Sequence, residues 1–158
     1  MLQISTAVPA GTGGWRRTFP RLTAAQLFAL VSDIESYPEF VPGCLQARIV
    51  ERGETVWKVE NVFGFGPVRS RFMSRAELDP PHRLDITSRE EPWRDFRMNW
   101  RFEDSTAGCR LSCALALVFR SPLLARLARM ASGEMERGVV SAFERRAKIV
   151  YREAVAPA

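Results

Sequence analysis

The sequence has 158 residues, 46% of them hydrophobic and 26% charged. That is the size and composition of one folded domain, and it excludes a disordered, collagen-like or disulfide-stapled chain. No run of 18 apolar residues is present, so no spanning helix is expected. The net charge of +5 is local in origin: residues 120–152 carry eight basic and three acidic side chains, while the remainder carries fifteen of each.

Residues 1–14 end in Gly11-Thr12-Gly13-Gly14 and are expected to form a loose tail. They have neither a basic start nor an apolar core of a secretory leader, which points to a cytoplasmic chain. The three cysteines, Cys44, Cys109 and Cys113, are an odd number, as a reducing compartment permits. Residues 15–20 are a strand candidate. Thr23 then opens a helix, because Gln26 follows at capping-box spacing, with Leu27, Phe28, Leu30, Val31 and Ile34 as its apolar face. Pro38 and Pro42 forbid a long helix beyond that point, so residues 36–43 form a short turn or an exposed aromatic loop.

From Leu45 to Phe119 the apolar period changes to two. Trp57, Val59, Asn61 and Phe63 share one strand face. Val68, Ser70, Phe72, Ser74, Ala76 and Leu78 share another. Phe96, Met98, Trp100 and Phe102 alternate with charged or amide residues, and Cys109, Leu111, Cys113, Leu115, Leu117 and Phe119 with small or polar ones. This is an antiparallel sheet buried on one face. Gly53, residues 64–67, Pro80-Pro81 and Ala107-Gly108 mark the turns.

Ser121-Pro122 opens a last helix, as N-cap and first helical residue. The helix is expected to reach about Arg152. It carries two apolar stripes: Leu123, Leu127, Met130 and Ala131, then Met135, Val139, Phe143 and Val150. A kink near Gly133 would bring both onto one surface. The fold class is therefore α+β: six to seven antiparallel strands curved around one long C-terminal helix, a helix-grip shape. One domain spans residues 15–152, with tails at 1–14 and 153–158.

The catalytic inventory is small. The single histidine, His82, follows Pro80-Pro81 and reads as a surface turn. Cys109 and Cys113 stand about 13 Å apart at strand rise, too far for a disulfide or a shared zinc ion. No phosphate-binding glycine motif or nucleophile elbow is present, and no metal is expected. The inward face is more informative. It carries Trp57, Phe63, Phe72, Phe96, Met98, Trp100, Met130, Met135 and Phe143, with Cys113 and Val139 on the same faces and Asn61, Ser70 and Ser74 interspersed. That pattern suits a solid core with its polar groups satisfied by the backbone. It equally suits a pocket for an apolar molecule whose polar head those side chains orient. Tyr37 and Phe40 stand at the expected mouth, either exposed to touch a membrane or a partner or folded back as a lid. Phe65 at a hairpin tip, with Arg126, Arg129 and Arg137 on the last helix, is placed to touch a membrane or RNA; a solvated helix face is the plainer reading of the same charges.

Residues 28–42, Phe-Ala-Leu-Val-Ser-Asp-Ile-Glu-Ser-Tyr-Pro-Glu-Phe-Val-Pro, resemble the signature of the Coq10/RatA family of START-like, polyketide cyclase/dehydrase-type domains. Residues 69–75, Trp100-Arg101-Phe102 and residues 142–147 support the resemblance in the family order, over nearly the whole chain. It implies a helix-grip fold with a hydrophobic tunnel. It implies a bound polyisoprenoid quinone, ubiquinone or a similar lipid, no other cofactor, and a chaperone role in respiratory electron transport with peripheral contact to an anionic membrane. It also carries two alternatives, a ribosome-associating toxin that blocks subunit joining and a polyketide aromatase/cyclase. DNA is not an expected partner. The sequence departs from the family at Gly43, where an aromatic is common, and at Glu91-Pro92-Trp93, where a Gly-Pro-Phe turn is common.

Overall fold

The computed structural model describes residues 12–65 and 68–151, with the backbone alone at Thr12, Phe65, Val68, Arg129 and residues 131–136. Phe65, Arg129 and Met135, named above, thus lie outside the described side chains. In chain order the elements are β1 (Thr12–Phe19), α1 (Ala24–Ser32), a 3-10 helix (Ile34–Glu39), β2 (Cys44–Arg52), β3 (Val56–Phe65), β4 (Val68–Asp79), β5 (Arg83–Ser88), β6 (Trp93–Ser105), β7 (Gly108–Phe119) and α2 (Pro122–Val150). The seven strands form one antiparallel sheet in the order β1-β7-β6-β5-β4-β3-β2. This is the helix-grip, START/Bet v 1-like fold.

The capping box forms as its spacing dictates. Thr23 Oγ1 accepts from the Gln26 N–H at 3.1 Å, and Gln26 Oε1 accepts from the Thr23 N–H at 2.9 Å. Asp104 on β6 accepts from the Ala24 N–H at 2.8 Å, so the start of α1 is fixed to the sheet. Leu27, Leu30 and Val31 turn inward and are buried, and Phe28 meets Phe102 edge-on at 5.3 Å.

Strand β1 begins at Thr12, inside the segment expected to be a tail. Its first three residues pair with Ala116, Leu115 and Ala114. Gly14 permits this approach, because a Cβ there would lie 2.9 Å from the Cys113 carbonyl oxygen. Gly108 is required at the β6–β7 turn: its φ is +117°, and a Cβ would stand 2.2 Å from the Phe19 oxygen.

Helix α2 starts as expected, with Ser121 Oγ accepting from the Leu124 N–H at 3.3 Å and Pro122 in the first turn. Its buried side differs from the expected one. The helix is continuous, and Leu123, Leu127 and Met130 are 65%, 49% and 80% exposed. The first half packs through Leu124, Ala125 and Ala128 instead, and the second through Val139, Val140, Phe143 and Ala147, while Val150 is exposed. Ala125 and Phe143 are 18 residues apart, five full turns, so they share one side. Leu127 stands about 160° round from Phe143. No kink is needed to make one stripe, and the more apolar stripe faces outward.

Candidate ligand site

Cross-strand register places the expected lining on one face of the sheet. Val59 pairs with Ser74, Asn61 with Phe72 and Phe63 with Ser70. Phe96 pairs with Leu117, Met98 with Leu115 and Trp100 with Cys113. Opposed residues share a face, so these side chains line the concavity that α2 crosses with Val139 and Phe143. Trp57 lies on the same face but six residues, about 20 Å, along β3 from Phe63. The Arg52 guanidinium covers its ring at 4.4 Å. It stands apart from the others.

The lining is organised as two aromatic clusters. In the first, Phe143 of α2 is central: its ring lies 5.6 Å from Tyr37, 5.1 Å from Phe40 and 5.0 Å from Trp100, and Trp100 lies 5.4 Å from Trp15 on β1. In the second, Phe72 lies 5.1 Å from Phe63, 5.6 Å from Phe96 and 5.5 Å from Trp93, and Trp93 reaches Phe119 at 4.5 Å. Edge-on pairs of this kind contribute about 0.5–1.5 kcal/mol each beyond area burial. Trp93 is absent from the sequence-derived lining for a clear reason. Alternation from Phe96, Met98 and Trp100 sends residue 93 outward, but a bulge between Trp93 and Asp95 shifts the phase and turns the indole in.

The loop at residues 37–42 does not stand free. Tyr37 is buried, which corrects the expected exposed aromatic, and its hydroxyl donates to the Val31 carbonyl oxygen. Phe40 is half-buried under the Arg146 guanidinium, 5.0 Å from its ring, and Arg146 pairs with Glu39 at 3.4 Å. A Cβ on Gly138 would lie 3.6 Å from Pro42 Cγ. Loop and helix therefore close together over Trp100. At the other end, toward the β3–β4 turn, Phe63, Ser70, Met98, Leu115 and Leu117 remain half-buried.

The polar groups on this face are in two states. Asn61 is buried, and its Nδ2 donates to the Val59 oxygen, the Phe72 oxygen and Ser74 Oγ at 3.2, 3.3 and 3.0 Å. The indole nitrogens of Trp93 and Trp100 are buried with no hydrogen-bond partner. Burial favours the protonated form of three groups here. Burial pushes the Cys44 and Cys109 thiols up to about 11, and it raises the Tyr37 phenol well above its usual value, with Cys113 and Cys44 adding to the rise. None of the cysteines forms a disulfide. His82 is exposed. Among the described residues no cluster of side chains could hold a metal ion, and no helix is long and apolar enough to cross a membrane.

A groove of about 940 Å³ is bordered by Lys58, Arg75, Glu77, Asp85, Arg97 and Asn99, and Trp57 and Ser74 of the expected lining border it too. Its charges are paired locally: Arg75 with Glu77 at 3.2 Å, Arg97 with Asp95 at 3.0 Å, and Asp85 with Arg83 and Arg101 at 3.0 and 2.8 Å.

Residues 21–144 match the family described as polyketide cyclase/dehydrase and lipid transport. The ribosome association toxin RatA of Vibrio cholerae is 28% identical over 139 residues, covering 87% of this chain and 96% of that protein. The mitochondrial coenzyme Q-binding protein COQ10 homolog B of Xenopus laevis is 28% identical over 131 residues, covering 80% of this chain and 54% of that protein. A START superfamily protein from Mycobacterium smegmatis superposes with a TM-score of 0.73 over 88% of this chain and 98% of that one, at 13% identity, a likeness of fold alone.

Proposed function

The chain belongs to the polyketide cyclase/dehydrase and lipid transport family, and on that premise we propose that it binds an isoprenoid quinone of the ubiquinone type between the sheet and α2, as a chaperone supporting respiratory electron transport. One observation carries the reading. Among the described residues no charged side chain is buried: the buried polar groups are Asn61, Ser74 and Ser88, while Arg17, which shares the inward face through its pairing with Leu111, is exposed and paired with Glu144 of α2 at 2.9 Å, and burial raises the Cys109 thiol and the Tyr37 phenol. Such a surface accepts a neutral apolar molecule and rejects a charged one. The coenzyme Q-binding relative supports the choice of a quinone. A cyclase would need a proton donor or acceptor free beside its substrate, and the Tyr37 hydroxyl already donates to the Val31 carbonyl oxygen, which favours holding a ligand over converting it.

Loading and delivery involve a membrane. Leu123, Leu127 and Met130 are exposed on α2 beside the exposed Arg126, the makeup of a helix that lies in an anionic lipid interface. A second reading uses the same surface. Arg126 and Arg137 are exposed, and a ribosome association toxin is among the relatives, so a regulator that contacts ribosomal RNA phosphates is the alternative.

The test is mass spectrometry of the purified protein, native and after organic extraction, from cells that make quinones. A stoichiometric isoprenoid quinone supports the carrier. An empty protein that co-sediments with ribosomal subunits, with affinity falling steeply as salt rises, supports the regulator and overturns the carrier.

A further inference from the structure

Among the described residues, two buried side-chain donors have nothing to donate to. Trp93 and Trp100 are fully buried, and neither indole N–H has a partner. Buried donors are nearly always paired, and one that is not calls for an explanation. The two differ in what covers them. Trp93 is enclosed by Phe72, Phe96 and Phe119, all from strands of the sheet. Trp100 is covered by Phe143 from α2 and by Trp15 from the edge strand β1. These rings offer no lone pair, and Phe143 belongs to a helix that can shift without opening the sheet. The polar side chain that the sequence pattern favours as an anchor, Asn61, already shares its two amide N–H groups among three protein acceptors, the Val59 and Phe72 oxygens and Ser74 Oγ.

We propose that the Trp100 indole N–H is the head-group anchor of the interior site, and that the ligand it selects is a neutral lipid with a carbonyl oxygen at its head. The inference rests on the reading of this interior as a lipid site and specifies the chemistry at its polar end. An indole N–H donates and cannot accept, so the ligand must supply the lone pair. A carboxylate head is disfavoured, because no buried cation stands among the described residues to offset the cost of burying it, and Arg17, on the same face, is exposed and already paired with Glu144 at 2.9 Å. A quinone or an ester carbonyl meets both demands. Binding requires the edge of Phe143 to move off the indole, which couples ligand entry to the seating of α2.

The experiment compares three probes with equal alkyl chains: decyl-1,4-benzoquinone, a methyl ester and the plain alkylbenzene. Each is titrated calorimetrically into wild type and Trp100→Phe, which keeps an aromatic ring and removes the donor. In the wild type, a carbonyl probe is expected to bind about ten-fold more tightly than the hydrocarbon, the equivalent of one hydrogen bond made in a dry site. In Trp100→Phe that preference disappears while hydrocarbon binding persists. Which carbonyl probe wins separates a quinone from an acyl lipid. A second readout needs no variant to fold: in 15N-indole spectra of the wild type, one indole proton moves downfield with the carbonyl probe and not with the hydrocarbon. Equal affinity for all three probes, or a preference that survives in Trp100→Phe, overturns the anchor while leaving the lipid site intact. If no probe binds, the lipid site itself fails, and the anchor fails with it.

Discussion

Phe143 of α2 and Tyr37 of the loop that follows α1 meet edge-on, with ring centroids 5.6 Å apart and planes at 87°. The contact joins the two elements that close over the sheet, and Phe40 and Trp100 complete it on either side.

Replacing Phe143 by Ala removes a side chain that is 1% exposed and touches three other rings. The expected cost is about 3–5 kcal/mol, read as a lower urea midpoint. Amide exchange should rise across the second half of α2 and the loop at residues 37–42 together. A loss below about 1 kcal/mol would show that the helix is seated by something else.

Gly138 gives the opposite sign. It is a helical residue whose added methyl would meet Pro42 at 3.6 Å, an ordinary van der Waals contact. Gly138→Ala is therefore expected to stabilise by about 0.5–1 kcal/mol through helix propensity, seen as a raised thermal midpoint. A drop would mean that the helix and the loop approach more closely than this in solution.

The exposed stripe on α2 separates binding from folding. Leu127→Glu with Met130→Glu should change stability by no more than about 0.5 kcal/mol, because both side chains face outward. The double variant should lose binding to vesicles of phosphatidylcholine with phosphatidylglycerol, measured by flotation. Unchanged flotation would remove α2 from the membrane contact. Reversing Arg126 and Arg137 to Glu should weaken the same binding without altering the thermal midpoint.

Alkaline pH should unfold the protein earlier than its composition suggests. The Cys44 and Cys109 thiols rise from 9.0 to about 11 through burial, and the Tyr37 phenol rises also. A folded-state value raised above the unfolded one favours the native state fully below pH 9, and that contribution is lost as pH climbs toward about 11. Urea midpoints at pH 8, 9.5 and 10.5 should fall, and Cys109→Ala should flatten the fall. The same shift makes both thiols slow toward iodoacetamide at pH 8, since the thiolate is the nucleophile.

Much of this was legible because it depends on local chemistry. Thr23 and Gln26 define a helix start through two short hydrogen bonds. Ser121-Pro122 defines another. Alternation from Asn61 through Trp100 to Cys113 marks an inward face, because strand period allows no other arrangement. What stayed hidden depends on partners distant in sequence. The side of α2 that packs is set by the concavity it crosses, so Leu123, Leu127 and Met130 read as core although Leu124 and Ala128 are used. Tyr37 is buried by Phe143, a neighbour more than a hundred residues away in the chain. Trp93 turns inward through a bulge that leaves no signature in residue type.

The strand order has a consequence for how the protein is assembled. Strand β1 is made early, yet its only partner in the sheet is β7, with Trp15 opposite Cys113. The pairing cannot form until the ribosome has delivered nearly all of the sheet, and closing so long a loop is slow. Trp15, the cover of Trp100 on that side, is thus seated only after β7 has been made, so the cover and the indole it shields meet in the last step of sheet closure.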